Sequence, residues 1–379
     1  KSHQEPKRAL SSIPTTRQKK RLQLGSSVAL LYTPAALTSM APHDKKSVTI
    51  EESKVDEAPT VSPVAGRKRP RLLSKTHDDL LQEDVRIYEY TSAANPEVPR
   101  IPVKALAPEL HQTGSTRIIP LNLSEDLGVS YPATSQNLLA SFLRICANED
   151  LTTEAIATSQ AFYVIRGRGS TMSEFDPITW KEGDLFVLPA TTQGAVHKAS
   201  EDSAIYWISD EPLLNYLGVA PTTKKFKPTL YTKERMHAEV ETLRSDETAQ
   251  HRNRLGILLG NKVTENGTMT LTHVLWSLLN VIPARVNQRP HRHNSVALDL
   301  CVAAPPSGGV YTLMGPELDD RGWVKDPVRM DWRAGGVFTT PPGWWHSHHN
   351  ETDEEAWVLP VQDAGLLTQQ GVLDIQFSK

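Results

Sequence analysis

Cysteine is scarce in this chain: Cys146 and Cys301 are the only two among 379 residues, and both sit in apolar surroundings far apart in sequence. That excludes a disulfide-stapled scaffold and a cysteine-rich zinc module, and it suits buried free thiols in a reducing compartment. Long hydrophobic runs are missing too, since nothing approaches the roughly 18 consecutive apolar residues of a membrane-spanning helix. No excess of charge of one sign exists either. With 41 Lys and Arg against 44 Asp and Glu, the net charge is −3, so neither nucleic acid nor a membrane surface is an expected partner. What remains, 39% hydrophobic and 22% charged residues, is the composition of a globular protein long enough for two domains.

The first 40 residues carry seven Lys or Arg against the single acid Glu5, with many Ser and Thr, a composition resembling an organellar transit peptide. Met40-Ala41-Pro42 would serve equally as an ordinary start. The expected location is the cytoplasm, or an organelle if residues 1–40 are a transit peptide. From Met40 to Asp84 the sequence stays polar and proline-bearing without an amphipathic period, so residues 1–85 read as a disordered or targeting extension. Its run Gly66-Arg67-Lys68-Arg69-Pro70-Arg71 reads as a solvated charge cluster in a tail rather than a nuclear-import signal.

From residue 86 the texture changes to short β-branched and aromatic segments separated by Gly, Pro and Asp, the pattern of an all-β architecture. Gly183-x5-Pro189 copies the spacing of Gly335-x5-Pro341, which marks an internal repeat. The expected domains are 86–225 and 226–379, the latter opening with a linker helix. In that linker Met236, Val240 and Leu243 fall on one helical face, with Thr232 and Glu234 as capping candidates.

The strongest chemical signal combines His291-Arg292-His293 with Gly335-x5-Pro341-x-Gly343-x2-His346-x3-Asn350. In a strand, alternate side chains share a face, so His291 and His293 project together, and a third histidine on a neighbouring strand completes a metal site. Gly308-Gly309, Gly315-Pro316 and Arg333-Ala334-Gly335-Gly336 supply turns for two or three strands in between. The competing explanation is a scatter of surface histidines, since 13 occur in the chain and five lie from 291 to 349. No cysteine or carboxylate stands at the spacing a closed structural zinc site needs. Three neutral imidazoles leave a divalent ion its full charge and open positions, which invites a small anionic chelating substrate. Imidazole suits Fe, Zn, Cu and Ni, so the ligands alone do not choose the metal.

These two elements resemble the paired motifs of the cupin superfamily, whose barrels are of the double-sheet jelly-roll type. The glutamate usual after the second histidine is replaced here by Ala297 or Leu298. In that respect His291-Arg292-His293-Asn294-Ser295-Val296-Ala297-Leu298, together with Trp344-Trp345-His346-Ser347-His348-His349-Asn350, resembles the gentisate 1,2-dioxygenase group of bicupins. The likeness covers the C-terminal third of the chain well and the preceding part loosely. It implies two tandem cupin barrels, a metal held by His291, His293 and His346, Fe(II) ahead of Zn, Mn or Ni, and O2 as co-substrate. It further implies ring cleavage of a gentisate-, salicylate- or hydroxynaphthoate-like acid. In that group the metal lies in the first barrel, whereas here the histidines lie in the second.

Strand parity extends the site. Counting by twos from the histidines, the inward set is Arg285, Asn287, Arg289, Ser295, Ala297 and Asp299. Arg289, with Arg285 behind it, is the candidate to hold a substrate carboxylate bidentately, the alternative being a rim arginine paired with an acid. His348 shares a face with His346 and is a candidate acid–base group or donor to the substrate, or else a structural histidine. Trp344, Trp345 and Trp357 either wall a pocket or belong to the core. In the first barrel the ligand positions fall on Glu154 to Ile156, Gln160 and Gly194, so no metal is expected there and His197 reads as a surface or packing residue.

Three functions follow as expectations. The first is an Fe(II) dioxygenase acting on a chelating aromatic hydroxy acid. The second is a redox-inactive metalloenzyme, an isomerase, lyase or decarboxylase, and the third is a non-catalytic small-ligand-binding bicupin. Exposed barrel edges are compatible with a homo-oligomer.

Overall fold

The computed structural model describes residues 84–246 and 254–379. The transit-peptide, disorder and import-signal readings fall on residues outside these. Among the described residues no helix is long and apolar enough to cross a membrane.

Two jelly-roll barrels follow one another, as the all-β pattern predicts. The first pairs a six-stranded sheet, in the order Thr229–Tyr231, Leu185–Pro189, Ser159–Arg166, Ser203–Ser209, Leu139–Ile145, Arg117–Pro120, with a four-stranded sheet of Asp150–Thr153, Ala195–Ala199, Arg168–Met172 and Ile178–Lys181. The second pairs a six-stranded sheet, Ala105–Leu106, Val337–Thr340, Ala297–Ala303, Ala356–Gln362, Trp276–Ile282, Leu255–Leu259, with a five-stranded one, Val328–Asp331, Val310–Gly315, Trp345–Asn350, His291–His293, Ile375–Phe377. Four strands, rather than two or three, separate the His-x-His strand from the one carrying His346.

The central strands of both large sheets are buried on both faces, which is why they read as unbroken apolar runs. Alternation sorts the residues. In the first barrel Leu143, Phe162, Phe186 and Trp207 point inward, while Phe142, Tyr163, Val187 and Tyr206 join Leu279, Leu298, Leu300 and Leu359 in one core between the barrels. Two short strands cross over: Ala105–Leu106 pairs with Val337–Thr340 of the second barrel, and Thr229–Tyr231 pairs with Leu185–Pro189 of the first. The helix Lys233–Ser245 forms where its apolar spacing predicts, with the Thr232 hydroxyl accepting from the Arg235 N–H and Met236 and Val240 buried.

The repeat extends to individual side chains. Gly183 and Gly335 adopt φ of 86° and 79°, a region that only glycine enters cheaply. In the second barrel Thr312 accepts the Trp332 indole N–H at 2.8 Å and contacts His348 Nδ1 at 2.9 Å. In the first, Thr171 accepts the Trp180 indole N–H at 2.9 Å and contacts His197 Nδ1 at 2.8 Å. His197 therefore occupies the slot of His348, and Thr153 and Ala195, paired as His291 and His346 are, stand at the ligand positions. The turn after Pro189 is one residue longer than that after Pro341, which shifts the sequence alignment off Gly194.

His197 is fully buried, with Thr153 on its Nε2 and stacked Phe162 and Phe186 beside it, and burial pulls its pKa down to about 3. It is a packing histidine. Substituting His197→Ala is expected to leave metal content unchanged and to cost about 2–4 kcal/mol of stability, from the cavity and the orphaned threonines, as read by denaturant unfolding.

Candidate metal centre

The three histidines converge because a three-residue strand is clamped on both edges. His291 pairs with His346 on one side and with Phe377 on the other. The Pro341-Pro342-Gly343 turn is locked against that strand, since Gly343, at φ 76°, donates its N–H to the His293 carbonyl at 2.7 Å. Asn350, the last position of the motif, donates its amide to the carbonyls of Ile282, Pro283 and Glu354, so its role is to anchor the strand end.

One ligand atom each from His291, His293 and His346 lies within 4.8 Å of the others, and this is the one such cluster among the described residues. Tautomers follow from the partners. His293 Nδ1 faces the Ser295 carbonyl at 2.9 Å and His346 Nδ1 faces the Trp344 carbonyl at 3.1 Å, so both carry hydrogen there and present Nε2 lone pairs. His293 Nε2 is buried with no protein partner. An orphaned, buried imidazole lone pair aimed at two others fits a metal ion.

Burial drives the pKa of His291, His346 and His348 well below the usual histidine value and that of His293 down to about 4. Neutral imidazole is the ligating form, so at neutral pH none of these rings needs to lose a proton, although His291, whose Nδ1 accepts from Arg254, must move its hydrogen from Nε2 to Nδ1 to ligate as the other two do. Unfolded, each histidine titrates near 6.5 and takes up a proton that the native state refuses. Stability is thus complete above about pH 6.5 and falls by about 1.4 kcal/mol per pH unit for each such histidine as pH drops toward 4. Asp299 and Asp210, raised by burial to about 7 and about 6, oppose this, because their native protons are lost as pH rises through that range. The histidines outnumber them. The urea midpoint of metal-free protein is expected to fall from pH 6.5 to 4.5, and a flat or rising profile would contradict these assignments.

The cluster lines a cavity of about 230 Å³ inside the second barrel. Trp276, Leu278, Val358 and Pro360 give it an apolar wall, and the exposed Leu258, Ile375 and Phe377 line it as well. A more open groove of about 970 Å³ beside the helix Lys233–Ser245 holds none of the histidines.

Sequence-predicted neighbours divide at His291. After it, parity holds: Ala297 and Asp299 line the cavity, and Ser295, fully buried, hydrogen-bonds the His293 ring. Before it, parity fails, because the segment ahead of Pro290 is not a strand and Arg285 turns through a φ of 59°. Arg285 pairs with Asp353 on the surface. Arg289 is likewise outside the cavity, donating to the Lys379 and Arg321 carbonyls with its guanidinium over Trp323. His348 does line the cavity, held by Thr312 at Nδ1 with Nε2 left without a protein partner among the described residues. Trp344 packs in the core, Trp345 lies under Arg292 and Trp357 stacks on His237, so none walls the cavity and Trp276 does instead.

The arginine in the cavity is Arg254. It is half-buried, donates to Gln288 Oε1, to the Arg289 carbonyl at 3.3 Å and to His291 Nδ1, and its Nε is buried without a partner. Among the described residues no carboxylate meets it, and desolvation alone pulls its pKa down to about 10. A guanidinium so placed stays charged at neutral pH.

No protein-family model and no curated protein matches the sequence. Among solved structures the chain is similar to a salicylate 1,2-dioxygenase from Pseudaminobacter salicylatoxidans, at 13% identity and a TM-score of 0.59 over 74% of this chain and 90% of that one. A structure of salicylate 1,2-dioxygenase adducts with gentisate, from Pseudoaminobacter salicylatoxidans, gives 13% identity and a TM-score of 0.58 over 76% and 87%. The chain has the bicupin fold. At this identity the likeness extends to the fold and no further.

Proposed function

We propose that this bicupin is a metal-dependent dioxygenase, with Fe(II) as its metal, acting on a small aromatic acid that carries a hydroxyl next to its carboxylate. One observation carries the reading: a three-histidine cluster without a carboxylate ligand shares its cavity with a desolvated guanidinium that has no acid partner among the described residues. Both lack negative charge, and a chelating hydroxy acid supplies it to both. The names of the similar structures, which mention salicylate and gentisate, agree with that substrate class.

When bound, Fe(II) supplies the electron exchange through which O2 reacts with an aromatic ring. The residues of the chain do the rest. Arg254 takes the carboxylate in the place expected of Arg289, fixing the ring relative to the histidines. Trp276, Leu278, Val358 and Pro360 pack the ring and keep water from it. His348 Nε2 would take the proton of the substrate hydroxyl, a role supported by its place in the cavity and by Thr312 holding the ring at Nδ1.

The test is O2 consumption by anaerobically Fe(II)-reconstituted protein against a panel of hydroxybenzoates and hydroxynaphthoates, with metal content determined on the same sample. Substrate-dependent uptake at about one metal per chain is expected. Uptake by no member of the panel despite full metal loading would replace this reading with redox-inactive Lewis-acid chemistry.

A further inference from the structure

The metal cavity lies between two sheet edges. Leu255–Leu259 ends the larger sheet of the second barrel, Ile375–Phe377 ends the smaller one, and residues of both line the cavity. Ile375–Phe377 has no counterpart in the first barrel, where the small sheet stops at Asp150–Thr153, the strand equivalent to His291–His293. Among the described residues, the extra strand is thus found only on the barrel that holds the histidine cluster.

Its side chains alternate in use. Ile375 and Phe377 line the cavity, and Phe377 lies nearly parallel to the His291 ring at a centroid distance of 5.9 Å. Gln376, on the other face, accepts from Arg292 Nε and Nη2 at 3.1 and 2.9 Å. Phe377 stands opposite His291, Gln376 opposite Arg292 and Ile375 opposite His293, so this strand covers the whole outer edge of the ligand strand. Little holds it there. No residue from Gly371 to Lys379 is buried, and Ile375 and Phe377 are 39% and 53% exposed. Its other fasteners include Asn294 Nδ2 donating to the Val372 carbonyl at 2.7 Å, the Asp374 N–H to Asn294 Oδ1 at 2.8 Å and the Ser378 N–H to the Pro290 carbonyl at 2.9 Å. A segment with few buried apolar contacts and solvent-exposed hydrogen bonds opens at low free energy. Gly371 supplies a pivot: it follows the helix Ala364–Gln369 at φ 70°, and nothing lies within 4 Å of where a side chain would begin. A strand that only finished a sheet would carry charge or proline at its edge, whereas this one turns Ile and Phe toward a cavity.

We propose that Ile375–Phe377 is a gate: it peels from His291–His293 about Gly371 to let the metal ion and small ligands enter, then pairs again to close the cavity and hold the His291 ring. The proposal rests on the metal-centre reading and is independent of which substrate is used. Gating of this kind acts on the rates of entry and release, leaving the equilibrium content of the site unchanged.

The experiment loads the full chain anaerobically with Co(II) and follows its release to excess EDTA by visible absorption. Arg292→Cys with Gln376→Cys places two thiols on directly opposed residues, whose Cα atoms in an antiparallel pair lie about 4.5–5.5 Å apart, within disulfide range. Oxidation is expected to slow release about tenfold or more, and reduction to bring it above the wild-type rate. Gln376→Ala, at an exposed position outside the cavity, removes the acceptor for Arg292 and should speed release about two- to tenfold, with Co(II) content still near one per chain. In native-state hydrogen exchange the Asp374 and Ser378 amides should exchange well before those of Ala297–Ala303. The last two measurements decide whether or not the cross-link forms. Release at the wild-type rate from the oxidised pair or from Gln376→Ala overturns the gate, as does exchange of Asp374 and Ser378 only together with the barrel strands. Loss of Co(II) content in Gln376→Ala also overturns it, since that marks a strand that merely supports His291. Failure of the wild-type chain to take up Co(II) overturns the metal-centre reading beneath it, which is a distinguishable result.

Discussion

Replacing His293 by alanine is expected to reduce bound metal from about one per chain to an undetectable level and to abolish O2 uptake with it. The cluster has three protein ligands and no carboxylate, so the loss of one leaves two imidazoles around the ion. Changes merely behind a ligand cost about 10–100-fold in metal affinity, and removing the ligand itself costs more. His293 is the sharpest choice of the three. Its Nε2 has no protein partner, so no protein hydrogen bond to that atom is lost, and its Nδ1 is tied only to Ser295. His348→Ala is the matched control, since that ring lines the cavity outside the cluster: metal should remain near one per chain while turnover falls. Metal analysis after equilibrium dialysis reads both variants, and retention of a full equivalent by His293→Ala would remove the histidine cluster as the metal site.

Much of this was legible because two simple rules coincide. Strand alternation placed His291 and His293 on one face, and the turn at Pro341-x-Gly343 delivered His346 beside them, so tertiary structure was needed only to pair the two strands. Alternation also placed Ala297 and Asp299 correctly, because Ala297–Ala303 is a true strand. The same rule misplaced Arg289, since it was carried across Pro290 into a segment with no strand geometry, where proline and a left-handed residue at 285 break the period of two. His197 was one residue out of register because a turn is one residue longer, a difference that only the threonine and tryptophan contacts expose. Arg254 carries no motif at all. It sits immediately ahead of Leu255–Leu259, and its parity with Gly256 and Leu258, both lining the cavity, was the available signal. Nothing in the sequence pairs that edge strand with histidines 37 positions on, because the distance is closed by the barrel.

Arg254→Met is expected to separate binding from stability in opposite directions. Methionine keeps the length and apolar bulk of the side chain and discards the charge. The native guanidinium is largely desolvated with no acid partner among the described residues, and an uncompensated desolvated charge costs stability, so the metal-free variant should be as stable as the wild type or more so. Metal binding should also survive. In the present arrangement Arg254 donates to His291 Nδ1, which puts the imidazole hydrogen on Nε2 and turns that ring away from its ligating tautomer. Removing the guanidinium lets His291 carry hydrogen on Nδ1 and present Nε2 beside His293 and His346. Substrate affinity behaves differently: a charge-assisted hydrogen bond in a desolvated cavity is worth about 1.5–3 kcal/mol, so salicylate should bind about 10–100-fold more weakly. Catechol, which can chelate but has no carboxylate, should be unaffected. Unfolding curves, metal analysis and titration with the two ligands check the three parts separately. If salicylate binds the Arg254→Met chain as tightly as the wild type, then Arg254 does not hold the carboxylate, whatever happens to stability.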